Sequence, residues 1–415
     1  MNETHETETP PEGPVIRPPG HARALATVWF TLFLDLVSFG LILPVLPFYA
    51  TNFGASPAIV ALLSTVFSLA QFVMSPVLGR LSDRRGRRRI MLISIAGSAM
   101  AQLVLGLSTA LWMVFLARLV SGICNANVST AHAYVADRVA PHERARYMGM
   151  MGSAIGLGFV VGPIIGGLLS LPSMPHLPFF VAAGLSALNF LMAVVWLPES
   201  RRPEGGVGPT APRRSLRALL RRDVWATPIG VFATIALGFY MAFSSMESSF
   251  ALFTEARFSW TARETGYYFT FVGLVIALMQ GLVVGRAVRR LGERRTLLVG
   301  LAVLCAGFLM QGGIPSVVGL VLGGLFAAGG NGLLNPSLSA LVSRTSSKDD
   351  QGLNMGLVQS ASSLGRITGP ALAGPLFEVV APGAPLLFAG LVVLAVLLFA
   401  RSRVPDPPPL QPAPL

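Results

Sequence analysis

Twelve apolar runs leave this 415-residue chain little sequence for anything else. They fall near 25–49, 57–79, 88–108, 110–137, 146–171 and 177–198, then 224–255, 262–287, 295–313, 315–343, 352–379 and 384–402. A helix needs about 20 apolar residues to cross the hydrocarbon layer. Inside that layer each backbone N–H and C=O must be satisfied within the segment, so runs of this length predict helices. The composition agrees: 53% of residues are hydrophobic and 12% charged, against about 25% charged in soluble domains. The expected fold is an all-α integral membrane protein with twelve transmembrane helices in two pseudo-symmetric six-helix halves. Residues 25–198 and 224–402 form the halves, joined by a polar linker over 199–223. Residues 1–24 and the Pro-rich 403–415 read as disordered tails.

Charge sets the orientation. Basic residues collect in cytoplasmic connections. Of the 31 Lys and Arg residues, Arg257 and Arg263 fall in the outer connections and Arg118 and Arg366 inside apolar runs. The rest share one side with both termini, which is therefore expected to be cytoplasmic. The net charge of +12 lies in short connections between apolar runs, with no soluble stretch able to fold around a nucleic acid. Cys124 and Cys305 lie within apolar runs, so no disulfide framework is implied. No metal-ligand spacing or nucleophile–base pair points to an enzyme, and no cofactor is expected. A Gly-x-Gly inside a membrane helix is no nucleotide fingerprint, because no strand precedes it.

The halves repeat. Gly79 and Gly86 recur as Gly285 and Gly292, and Asn125 as Asn331, each 206 residues on. Gly149, Gly158 and Gly162-Pro163 recur as Gly356, Gly365 and Gly369-Pro370 at an offset of 207. Halves related by an axis along the membrane normal build transporters whose site is lined by both copies.

Polar residues inside the runs mark candidate sites. Thr31, Asp35 and Ser38 share a helical face. A carboxylate as deep as Asp35 is costly and reads as a proton carrier or as the partner of a cationic substrate; the competing reading is a structural acid paired with a neighbouring helix. Arg118, Gly122, Asn125, Ser129 and His132 fall within about 40° of one line on an unbroken helix and read as a cavity wall, with Asn127 on the opposite face bonding a neighbour. Tyr240, Ser244, Glu247 and Ser248 share a face of the seventh run, with Glu247 as a second embedded acid or a solvated rim acid. Gln359, Ser362, Ser363, Arg366 and Pro370 share one in the eleventh. Asn331 and Asn335 repeat the positions of Asn125 and Ser129. Gln71 and Gln280 are further polar residues in apolar surroundings, either cavity residues or interhelical bonds. The fifth run carries Gly152, Gly156, Gly158, Gly162-Pro163, Gly166 and Gly167, small residues that let helices approach closely.

Between the second and third runs lies Gly79-Arg-Leu-Ser-Asp83-Arg84-Arg-Gly86-Arg87-Arg-Arg89, with six arginines and one acid. It reads as a short solvent-facing turn in which Asp83 chooses among the bases. The pattern resembles the signature loop of the major facilitator superfamily. The run Gly152–Gly167 resembles the antiporter motif of that family's fifth helix. Asp35 to Pro47 resembles the first-helix motif of its exporters, with Ser38 at a glycine position, and Arg118-Leu-Val-Ser-Gly122 their fourth-helix arginine motif. The chain is thus similar to twelve-helix drug:proton antiporters, the tetracycline type among them. The resemblance implies proton-driven export of small amphipathic or cationic compounds by alternating access, from a bacterial inner membrane, by a monomer whose partners are protons, substrate and lipid. A metabolite or lipid-like substrate facilitator or symporter of the same fold is the alternative. It implies Asp83, Arg84, Gly79, Gly86 and Arg87 as a conformational latch and Arg118 as an aid to proton transfer. Tetracycline exporters carry an acid in the third helix; here the stretch is Gly97-Ser-Ala-Met-Ala-Gln102, and the ninth run has no acid. A different amphipathic or cationic compound is expected.

Overall fold

The computed structural model describes residues 21–125, 127–139, 143–200, 227–346 and 350–405. The N-terminal tail to Gly20, all of the linker beyond Ser200 except its surroundings from Thr227, and the end of the C-terminal tail lie outside the described residues. Among those described the secondary structure is helical, apart from one isolated bridge between Leu171 and Met174.

The helices are α1 (His21–Ile42), α2 (Leu46–Thr51), α3 (Pro57–Arg85), α4 (Arg87–Gly106), α5 (Leu111–Cys124), α6 (Asn127–Arg138), α7 (Arg144–Leu169) and α8 (Leu177–Trp196). After the linker come α9 (Pro228–Phe258), α10 (Ala262–Leu278), α11 (Val284–Gly313), α12 (Val317–Thr345), α13 (Gln351–Val379) and α14 (Ala384–Arg403). Met279–Val283, between α10 and α11, is one π-helical segment. Ten stretches are long and apolar enough to cross a membrane. One is the 52-residue run Ala262–Gly313, more than twice the length one crossing needs. It is broken at Gly292, whose φ of 78° leaves the helical region.

Three breaks depart from the sequence reading. The first run is interrupted over Leu43–Val45, beside Pro44, and resumes as α2. The signature turn is far shorter than expected: α3 continues to Arg85, and the chain reverses at Gly86 alone, at φ 99°. Positive φ suits glycine, and the equivalent Gly292 makes the same break. The fourth run is two helices, because Asn125 leaves the helical region at φ −82°, ψ 71°. The stripe from Arg118 to His132 assumed one unbroken helix, so its phase is lost there.

Packing runs α1 against α7 and α8, α4 against α8, α9 against α13 and α14, and α11 against α12 and α14. One core is drawn from Ile229 to Val404. A second, around Leu25–Leu197, contains Tyr134 and Met151. A third, around Tyr49 and Phe179, also takes in Leu252 and Ala262. The glycines of α7 serve the α1 contact. A Cβ on Gly162 would fall 2.7 Å from the Val37 carbonyl, and one on Gly166 would overlap that of Leu41. Gly166→Ala therefore has to push α1 and α7 apart. It is expected to cost about 1–3 kcal/mol, read as a lowered thermal midpoint in detergent, whereas Gly149→Ala, with nothing within 4 Å, should leave it unchanged.

Candidate functional site

The main contacts between the first six runs and the last six are α3 with α13 and α7 with α10, with α9 touching α2 and α3 as well. Both main pairs are closed at one end. Gly374 meets Ala58, whose N–H donates to Glu378 Oε1 at 2.9 Å. Gly266 meets the Pro163 carbonyl and Gly167, and Thr270 Oγ1 donates to the Val160 carbonyl at 3.1 Å. Toward the other end, which carries the arginine-rich turn, Gly79, Gly149, Gly152, Gly156 and Gly356 have nothing within 4 Å of an added Cβ. The helices splay there, and the space between them is a cavity of about 400 Å³.

Glu247 and Arg366 line this cavity. The cations whose attraction acts on Glu247 are Arg366 first and Arg118 second. Arg118, on α5, is buried at 5% exposure and does not itself line the cavity. Its guanidinium lies 4.4 Å from the Phe67 ring centre, and its Nε has no hydrogen-bond partner among the described residues. Arg366 lies 4.4 Å from the centre of the Tyr240 ring. Tyr240 donates to Asn335 Oδ1 at 3.2 Å, and Asn335 Nδ2 donates to Asn331 Oδ1 at 2.6 Å. Gln280 joins this wall from the π-helical segment, an irregularity frequent at functional sites. Phe159, Phe239, Phe243 and Phe269 form apolar walls.

Asp35 stands elsewhere. Its Oδ1 accepts from Asn127 Nδ2 at 3.0 Å, so the residue placed off the expected stripe is the one that meets the deep acid. Asp35, Thr31 and Ser38 do not line the cavity. Thr31 offers its carbonyl to Asn189 Nδ2 at 3.1 Å, and Ser38 faces Ser186 at 3.4 Å. Ser186 also donates to Gln102 at 2.8 Å. Thr31 Oγ1, Asn127 Oδ1 and Asn189 Oδ1 are buried there without a hydrogen-bond partner among the described residues. Gly122 is a packing residue, its added Cβ colliding with α3 at Phe67 and Ala70. Asn125, Ser129, Gln71 and Gln359 lie outside the cavity lining. Ser244 is held at the α9–α13 contact by the carbonyls of Tyr240 and Gly365. His132 Nδ1 bonds the Val128 carbonyl.

The arginine-rich turn is a network with more than one acid. Arg87 is buried at 8% exposure and reaches Asp83 at 2.6 Å, Ser82 Oγ at 2.7 Å and Asp137 at 3.0 Å. Glu199 packs on Gly86 and accepts from the Arg88 N–H at 3.3 Å. Arg84 is exposed. The expectation that Asp83 is the lone negative charge among the bases is corrected: Asp137 and Glu199, distant in sequence, fold onto the same turn. At the matching place in the other half, Glu293 pairs with Arg344, so the same clasp recurs with its charges exchanged.

The family model described as Major Facilitator Superfamily matches residues 28–310 and again 248–415. The chain belongs to the major facilitator superfamily. It is 33% identical over 368 residues to the class C tetracycline resistance protein of Escherichia coli, covering 85% of this chain and 89% of that protein. It is 31% identical to Multidrug resistance protein 2 of Bacillus subtilis, covering 88% and 91%. It also resembles the structure of the human organic anion transporter MFSD10, with TM-score 0.70 and 28% identity over 92% of this chain and 100% of that one. This facilitator is a multi-pass membrane protein and a secondary transporter of the drug:proton antiporter type, as its sequence motifs implied.

Two polar cavity residues escaped the sequence reading, Tyr268 and Gln311, along with the apolar walls. Gln311 is a lone polar residue near the end of an apolar run.

Proposed function

We propose that the protein exports small amphipathic organic compounds across a bacterial inner membrane in exchange for protons, with Glu247 as the coupling acid. The observation that carries this reading is the position of Glu247 in the cavity, acted on by arginines from two different helices, α13 and α5. An acid facing both Arg366 and Arg118 changes its partners whenever α5 and α13 move relative to each other. Its affinity for a proton then depends on the access state. A substrate that donates to the carboxylate cannot share it with a proton, and that competition is the basis of antiport. Asp35, bonded to Asn127, acts as a second, positioning acid.

Twelve crossings follow if the run Ala262–Gly313 is divided at Gly292 and α13 is added. Two pseudo-symmetric halves, 25–198 and 224–402, are supported by the positive φ at both Gly86 and Gly292 and by two cores each confined to one half. The splayed end is then cytoplasmic, with both termini, and the cavity faces inward. The chain acts as a monomer, without a cofactor. Cysteines placed singly at Arg84 and in the linker over 199–223 are expected to react with an impermeant maleimide only in everted vesicles; labelling in intact cells would reverse the orientation. Coupling is tested by acidifying the lumen of everted vesicles and following the pH on addition of compounds to which the gene confers resistance. Alkalinisation of the lumen is expected, and acidification would instead indicate a symporter.

A further inference from the structure

The chain leaves α8 and α14 in the same way. Each helix is followed by a buried apolar residue with extended backbone: Leu197 at φ −89°, ψ 105°, and Val404 at φ −71°, ψ 120°. The two positions are 207 residues apart, and each precedes an exposed proline, Pro198 or Pro405, which cannot continue the helix. An arginine from the facing turn holds each helix end. Arg88 donates to the Val194 carbonyl at 2.6 Å, and Arg294, its counterpart in the repeat, donates to the Arg401 carbonyl at 3.3 Å. Each of these turns reverses at a glycine of positive φ, Gly86 or Gly292.

In the first half the residue after the proline completes the arrangement. The Glu199 carboxylate lies against Gly86, where a Cβ would overlap it, and accepts from the Arg88 N–H at 3.3 Å. That N–H belongs to the first turn of α4, where the backbone donors have no partner within the helix and negative charge is favoured. In the second half the residue after the proline is Asp406, again 207 positions on, and it lies one residue beyond the described chain. It is the one acid after Glu378. Five arginines between Arg286 and Arg295, and two more at Arg401 and Arg403, give this end its charge. The one acid within that first stretch, Glu293, pairs with Arg344.

We propose that Asp406 binds the turn at Gly292 as Glu199 binds the turn at Gly86, its carboxylate accepting from the Arg294 N–H. The end of α14 is thereby stapled to the turn, and each half carries one such staple at its arginine-rich end. Reach is provided by the fixed exit of the chain. Arg401 is already held by Arg294, and Val404 and Pro405 set the direction, so one further residue brings the carboxylate to the turn. Room is provided by Gly292, which among the described residues has nothing within 4 Å of an added Cβ. The two staples differ in one respect. Arg138 also donates to the Glu199 carbonyl at 2.8 Å, whereas its counterpart Arg344 is engaged with Glu293. The second staple therefore depends on the carboxylate of Asp406. It joins α14 to the turn that leads into the ninth run, so that these elements move together when the half rocks.

The test is the distance between two nitroxide labels in the full-length protein in lipid nanodiscs, with Cys124 and Cys305 replaced by alanine. One pair, on Arg85→Cys and Ser200→Cys, brackets the first staple. The matching pair, on Leu291→Cys and Pro407→Cys, brackets the second; Arg85 and Leu291 are both exposed. The first pair should give one narrow distance distribution that is lost in Glu199→Ala. The second pair should give a narrow distribution centred at the same distance as the first. It should be lost in Asp406→Ala, which removes the acceptor, and kept in Asp406→Glu, which installs the residue of the first half. A broad distribution for the second pair with Asp406 in place would overturn the assignment. So would a narrow one that survives Asp406→Ala, or a loss in Asp406→Glu equal to that in Asp406→Ala. A first pair indifferent to Glu199→Ala would also overturn it, since the carboxylate contact would then hold neither turn.

Discussion

Glu247→Gln is expected to abolish proton-driven accumulation of exported compound in everted vesicles while leaving the protein folded and able to bind. Glutamine keeps the volume and can still donate and accept hydrogen bonds, but it cannot exchange a proton in this pH range. The loss should therefore appear in coupling. Coupling free energies between two ligands are typically 1–3 kcal/mol, or about 5–150-fold in affinity, and all of that should vanish. Asp35→Asn is the contrasting variant. An asparagine at 35 can still accept from Asn127 Nδ2, which sits 3.0 Å from Oδ1, so accumulation should fall by less than about tenfold. Equal loss in both variants would mean that the cavity acid is not distinct from the acid outside it.

Arg87→Met is expected to reduce the amount of folded protein sharply, measured as monodisperse material after extraction. Arg87 is buried and bridges Asp83 and Asp137, whose side chains are 50% and 27% exposed. Without it the partly buried Asp137 carboxylate loses its cation and the buried Ser82 hydroxyl its donor, at a cost of about 1–3 kcal/mol. Asp83→Asn should behave differently. Half-exposed Asp83 contributes at most about 1 kcal/mol to stability, so this variant should fold and bind. Its expected defect is in transport, since the turn loses a charge that distinguishes the access states. A ligand or contact can shift such an equilibrium only by its difference between the two states. Normal transport by Asp83→Asn would reduce the turn to an orientation signal.

The helices and their small-residue contacts were legible because they follow from local rules. Apolar length predicts a crossing, and glycine at every fourth position predicts close packing, as found where Gly158, Gly162 and Gly166 meet α1. The repeat also carried backbone information, since Gly86 and Gly292 both take a positive φ, 99° and 78°. Side-chain partners were harder to read. Spacing places Asp35, Glu247, Arg118 and Arg366 at depth, but which acid faces which arginine depends on helix rotation. The break at Asn125 altered the fourth run, so a face drawn from Arg118 to His132 did not survive. Asp137 and Glu199 reach the arginine-rich turn across 50 and 111 residues, a separation that no local pattern encodes. Gln311 was missed because a cavity-lining amide looks, in sequence, like any other glutamine.

The most direct test of Glu247 as the coupling acid is proton release on binding. The purified protein is placed in weakly buffered detergent solution and mixed with a compound to which the gene confers resistance, while a pH indicator is followed. Wild type and Asp35→Asn should each release protons, and their affinity should rise toward tenfold per pH unit as the medium is made more alkaline through the titration range. Glu247→Gln should bind the compound without releasing protons and with no such pH dependence. Proton release that persists in Glu247→Gln and disappears in Asp35→Asn would contradict the assignment and return the coupling role to the acid on α1.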